Sequence, residues 1–231
     1  MVPFRKALKS QVGRKLLNGI GAIGLVGFLI VHLTGNLQLY SSDGTAFNEY
    51  AKFLHDLGPL LYTAEIGLLA IFLLHAFTGI GLWIKNKSAR ANRYKARQTS
   101  KGGPSNFSIL SNNMFVSGTA LLVFVVVHVL HFRFAAFTDK EYVTEIDGEP
   151  AVDLYQHVVD AFQHPGWVAF YCGMMLFLGF HLRHGLWSMF QTLGWMNDRA
   201  QKPVYTIAAI IGLILAVGFF FIPIYLYFFV Q

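Results

Sequence analysis

Cysteine and charge are both scarce in this chain. The single cysteine, Cys172, rules out a disulfide framework and any cysteine-ligated zinc or iron–sulfur site built from this chain alone. Asp, Glu, Lys and Arg make up only 13% of the 231 residues, against about 25% in ordinary soluble domains. Acids are rarest within the apolar runs, where Glu65 is the one carboxylate well inside a span, so a carboxylate-bridged metal pair, which needs several, is excluded. There is no Gly-rich phosphate loop, no nucleophile elbow and no nucleic-acid motif. The net charge of +6 therefore calls for no polyanionic partner and is explained by topology below.

What the chain does have is long apolar runs: 55% of its residues are hydrophobic and its mean hydropathy is +0.48. Five runs reach the roughly 20 residues that cross a bilayer. They predict an all-α integral membrane protein, a single domain over 1–231, with helices at about 16–40, 59–84, 113–137, 165–195 and 203–230. The first run follows a basic segment but is too long for a signal-peptide core, so it is read as a helix. Pro59, Pro165 and Pro203 stand at helix starts, where a missing N–H does no harm. Of the 18 Lys and Arg, 14 lie in the N-terminal segment, the loop from Lys85 to Lys101 and the Arg199/Lys202 turn, whereas the other two loops hold three. Basic loops stay inside, which places the N-terminus in the cytoplasm and the C-terminus outside. The acidic loop from Thr138 to Asp160 is then external, and its Val152 to Phe162 portion reads either as a surface amphipathic helix or as solvated loop.

Four of the runs carry a histidine at membrane depth: His32, His75, His128 and His181. A buried polar ring is costly in a bilayer unless partnered, and neutral imidazole escapes that cost by ligating a metal. Counting 1.5 Å per residue from the predicted span ends puts His32 and His128 in the outer half and His75 and His181 in the inner half. Each pair then comes from two helices, as a planar macrocycle held between helices requires. Gly35, Gly79 and Gly185 follow three of these histidines by three or four residues, on the same helix face, where an edge of such a ligand could approach; close helix packing is the competing use of the same glycines. His131 and His184 are rivals for the ligand roles, each three residues further on. His55, His157 and His164 fall in or beside external loops and are expected to be solvated.

The stretches IVHLTGN at His32, AEIGLLAIFLLHAFTG at Glu65 and His75, VVHVLHFR at His128 and Arg133, and GFHLRHGLWSMFQTLGW at His181 resemble the single-polypeptide dihaem cytochrome b anchor of succinate:quinone oxidoreductase and its fumarate reductase relatives. The resemblance implies five helices, the first four around two haem b groups, with His32, His75, His128 and His181 as axial ligands. It further implies an iron–sulfur subunit and an FAD flavoprotein subunit on the cytoplasmic face, a membrane quinone (menaquinone) as substrate, and a bacterial cytoplasmic membrane as location. Arg133, Arg183 and His184 are candidate haem-propionate contacts, with snorkelling to the interface as the alternative. Glu65 is a candidate proton-handling group for quinone chemistry, with Asp56 as its link to external water. Two other readings stand beside this one: the dihaem anchor of a hydrogenase, formate dehydrogenase or nitrate reductase, and a haem-free proton-coupled transporter.

Overall fold

Ser10 starts the first span by accepting the Gly13 N–H on its hydroxyl at 3.0 Å, so the helix begins before the expected Leu16. In the computed structural model, which describes residues 10–41, 43–88, 114–195 and 201–230 together with Lys6, Asn197 and Arg199, this helix is α1 (Gln11–Asn36). A 3-10 turn, Leu37–Tyr40, continues it. The other long helices are α3 (Pro59–Ser88), α4 (Met114–Phe132), α6 (Pro165–Thr192) and α7 (Gln201–Phe229). All five are long and apolar enough to span a membrane. The chain is an all-α integral membrane protein. Exposed Ile20, Val31, Ile66, Phe77 and Leu213 lie along these helices, as a lipid solvent allows.

Two boundaries move for local reasons. Helix α4 stops at Phe132, not Phe137, because the Phe134 N–H turns back to Val129 O and the Ala136 N–H to Leu130 O, with Ala135 at φ 48°. Helix α3 runs on to Ser88, with Lys85 and Lys87 in its last turn, where cations suit the helix dipole. Arg90, Arg93 and Arg97 of the basic loop lie outside the described residues.

Helices α1, α3, α4 and α6 form a ring, each packing on the next and α6 closing onto α1, while α7 packs along α6 and also touches α1. Helices α1 and α4 therefore stand on one diagonal, α3 and α6 on the other.

One end of the ring carries a cap that the sequence reading largely missed. It consists of α2 (Thr45–Asp56), an antiparallel hairpin of β1 (Val143–Ile146) and β2 (Glu149–Val152), and α5 (Leu154–Phe162). The hairpin turns on Asp147–Gly148, with φ of 56° and 78°, the left-handed pair that a two-residue turn needs. Buried Asn48 ties α2 to α5, its Nδ2 donating to Asp153 Oδ1 at 2.8 Å and its Oδ1 accepting the Tyr155 N–H at 2.8 Å. Gly44, at φ 73°, starts α2 against the face of the Tyr155 ring, where a side chain would collide. Gln163 fastens the end of α5 to α7 by donating to the carbonyls of Leu226 and Val230. Helix α5 does not lie on a surface: Tyr155, His157, Val158, Val159 and Phe162 are buried.

Candidate functional site

The four histidines meet in the interior as two pairs across the two diagonals. His32 on α1 faces His128 on α4, ring centres 5.8 Å apart, toward the capped end. His75 on α3 faces His181 on α6 at 6.2 Å, toward the other end. This is the pairing expected from depth. Two imidazoles ligating one metal from opposite sides, at about 2 Å each, stand with ring centres roughly 6 Å apart. Among the described residues no group of three or more His, Cys, Asp or Glu is clustered as a bare ion would require. Pairs are what a haem needs, because the macrocycle supplies the equatorial nitrogens.

Three further observations fit such a group. His128 Nδ1 is buried without a hydrogen-bond partner. A Cβ at Gly185 would meet open space and one at Gly79 would have only Asn18 Oδ1 at 3.9 Å, so the faces beside His181 and His75 have room. Gly35 behaves otherwise. A Cβ there would lie 2.5 Å from Tyr50 Cε1, so this glycine serves the docking of α2 rather than a ligand edge.

The rival histidines have different surroundings. His131, 3% exposed, has Nδ1 3.2 Å from the Tyr171 hydroxyl and its ring 4.3 Å from that of Trp167. His184 lies beside Trp187, ring centres 6.3 Å apart. His55 and His164 are exposed, as expected. His157 is not solvated: it is 4% exposed, stacked on Tyr142 at 4.7 Å, and its Nε2 has no partner. Burial holds its imidazole below the ordinary value, with Asp160 pulling the other way.

The charged candidates divide. Arg133 reaches across from the end of α4 to Glu65 on α3, with Nε to Oε1 at 2.9 Å and Nη2 to Oε2 at 3.4 Å. Asp56 pairs with Lys52 at 2.8 Å, and Lys52 also reaches Glu149 at 3.3 Å, so Asp56 and Glu65 have different partners. Arg183 donates from Nε and Nη2 to the Tyr205 hydroxyl on α7. Two residues from His181, it lies on the opposite side of α6.

Sequence reasoning did not single out Asn18, Ser117 and Gly118, which touch the pair at the uncapped end. His75 Nδ1 is 3.3 Å from the Asn18 carbonyl, Ser117 Oγ is 3.2 Å from His181 Nδ1, and a Cβ on Gly118 would sit 3.4 Å from His181 Cε1. A signal was present, since polar residues inside apolar runs need partners.

Comparison with curated proteins and with solved structures returned no match. A family model does match, over residues 88–222, more than half of the chain, taking in His128 and His181 and leaving α1 with His32 and most of α3 with His75 outside it. On that match, the chain belongs to the succinate dehydrogenase/fumarate reductase transmembrane subunit family.

Proposed function

We propose that this membrane subunit is a dihaem cytochrome b anchor that passes electrons between cytoplasmic iron–sulfur and FAD flavoprotein subunits and a membrane quinone, menaquinone. The observation that carries the reading is the meeting of His32 with His128 and of His75 with His181 at two depths, on the two diagonals of one four-helix ring. Haem held there would supply one-electron carriers. The residues of the chain would do the rest. The four imidazoles would hold the haem iron, and the apolar ring would keep water out. Gly79 and Gly185 would leave a macrocycle room, and Gly118 lets the His181 ring pack close. His184 and Arg133 remain candidates for propionate contacts, each near one end of the ring, whereas Arg183 is engaged by Tyr205.

The capped end is assigned to the outside of a bacterial cytoplasmic membrane, since the basic segments fall at the other end. Quinone chemistry needs protons as well as electrons. At the capped end Glu65 is the proton-handling carboxylate, paired with Arg133 at rest, and exposed Asp56 is its link to external water.

A visible spectrum of the purified complex, taken oxidised and reduced, tests the reading. Two reducible haem b components are expected. His32→Ala and His128→Ala should each remove one and the same component, and His75→Ala and His181→Ala the other. Protein without haem would overturn the function, and loss of the same component in His32→Ala and His75→Ala would overturn the pairing.

A further inference from the structure

The two histidine pairs differ in what lies against Nδ1 of each ring. A neutral imidazole has one proton, and only the bare nitrogen can ligate a metal. At the uncapped end, His75 Nδ1 lies 3.3 Å from the Asn18 carbonyl oxygen of α1. A carbonyl only accepts, so the contact is a hydrogen bond when Nδ1 carries the proton, which leaves Nε2 bare. His181 reaches the same state by a second step. Ser117 has one hydroxyl proton, and its Oγ lies 3.2 Å from the Met114 carbonyl, which can only accept, so we assign the proton there. The lone pairs that remain face His181 Nδ1 at 3.2 Å, and a lone pair demands a donor. Two different devices, a backbone carbonyl and a back-bonded serine, select the same tautomer in both rings. Thr78, one turn after His75, back-bonds to the Leu74 carbonyl at 2.6 Å and lies 3.0 Å from Asn18 Oδ1, a polar contact between α1 and α3 at this level.

The pair at the capped end has nothing equivalent. Asn36 Nδ2 donates to the His32 carbonyl at 2.8 Å, a contact that identifies that atom as the amide nitrogen, and it stands 3.4 Å from His32 Nδ1. A donor facing Nδ1 favours the other tautomer, with the proton on Nε2. His128 Nδ1, buried, has no partner at all.

We propose that Ser117, with the Asn18 carbonyl, is a positioning element that presets the inner pair for iron, so that this site holds its haem more tightly and at a potential tuned by the Ser117 hydrogen bond, while the outer pair is not preset. The proposal rests on the dihaem reading above. An acceptor on Nδ1–H raises the basicity of the ligating nitrogen and favours the more highly charged iron. Loss of that acceptor therefore raises the midpoint potential and weakens the hold on the cofactor.

The experiment compares the intact complex with its Ser117→Ala, Ser117→Cys and Ser117→Thr forms by redox titration, ferric electron paramagnetic resonance and the rate of haem loss. The inner component is identified as the one missing in His181→Ala. Ser117→Ala should raise the potential of that component, change its ferric spectrum and release its haem faster, by roughly 10–100-fold. Ser117→Thr, which retains the hydroxyl, should restore all three, and Ser117→Cys, a weak acceptor, should fall between. The outer component should stay in place throughout. Unmoved potential and haem retention in a loaded Ser117→Ala or Ser117→Cys complex, or movement of the outer component instead, would overturn this inference alone. Absence of haem from the unaltered complex would overturn it together with the proposed function.

Discussion

At the scale of single residues, the pairing of Glu65 with Arg133 changes what can be asked of the carboxylate. From its position alone, Glu65 is a lone acid six residues into a span, where desolvation would dominate. In the fold, its side chain is 39% exposed and Arg133, 49% exposed, bonds it from the next helix. An ion pair that is half exposed contributes about 0–1 kcal/mol where water reaches it, so holding α3 to α4 need not be the main role of Glu65. Glu65→Gln keeps the size and one acceptor oxygen while removing proton exchange. The expected outcome is unchanged assembly and haem content with quinone-linked turnover reduced roughly 100-fold, the scale of general acid–base catalysis. Turnover with an artificial acceptor that draws from the soluble subunits should be unaffected. Normal quinone turnover in this variant would leave Glu65 a purely structural partner of Arg133.

At the scale of elements, the cap holds a buried histidine that couples its stability to pH. His157 on α5 is buried between Tyr142 and the end of α4, with His131 6.2 Å and Phe132 5.5 Å away by ring centres. Its folded-state value lies below the ordinary 6.5, so the unfolded chain binds the proton more readily. The stability this confers is therefore complete above pH 6.5 and is lost as pH falls toward the folded value. Burial raises the Asp160 carboxyl, but hydrogen bonds from Lys140, Gln156 and Tyr142 outweigh it and hold the group below 3.8, so its contribution is lost only in stronger acid. Protection of the amides in 143–162, taken relative to their intrinsic exchange rates at each pH, should fall between pH 7 and 5, and His157→Phe should flatten that dependence; an equal fall in both proteins would remove His157 as the cause. The cap also marks where the sequence was legible and where it was not. The five spans were plain because 20-residue apolar runs have few other uses in a folded chain. Pairing by depth worked because rise per residue is fixed. Within the cap, α2 and the hairpin were missed because they are short and mixed in polarity, although Asp147–Gly148 between Ile146 and Glu149 was a turn signal. His157 and Gly35 were misjudged for one reason: each is buried by an element distant in sequence, His157 by α4 and Tyr142, Gly35 by Tyr50.

At the scale of the whole molecule, the two histidine pairs divide the membrane between them, and three helices give the interval independently. On α1 the inner pair lies at Gly21, which faces His75 Cβ, and the outer pair at His32; on α4 the levels are Ser117 and His128. On α6 they are His181 and Tyr171, whose ring is 6.0 Å from that of His128. Ten or eleven residues separate the levels each time, about 15–17 Å along the axis, or half of a hydrocarbon core of about 30 Å. A path of that length has two ends that differ in kind. The capped end is covered by α2, the hairpin and α5, with acids Asp139, Glu141, Glu145, Asp147 and Glu149 in it. Helix α3 ends at the opposite end with Lys85 and Lys87, and under the proposed function the iron–sulfur subunit is expected to dock there. Topology alone would also place those charges inside, and the two roles are separable by experiment. Replacing Arg90, Arg93 and Arg97 with glutamine leaves Lys85, Lys87, Lys95 and Lys101 to hold the loop in the cytoplasm. The subunits should then dissociate at lower salt than in the unaltered complex, because exposed charges act over about 8–10 Å at physiological ionic strength. Co-purification across a salt series, with protease accessibility of the loop as the topology control, reads both effects. Full assembly at every salt concentration, with the loop still cytoplasmic, would assign these arginines to topology and move the docking face elsewhere on that end.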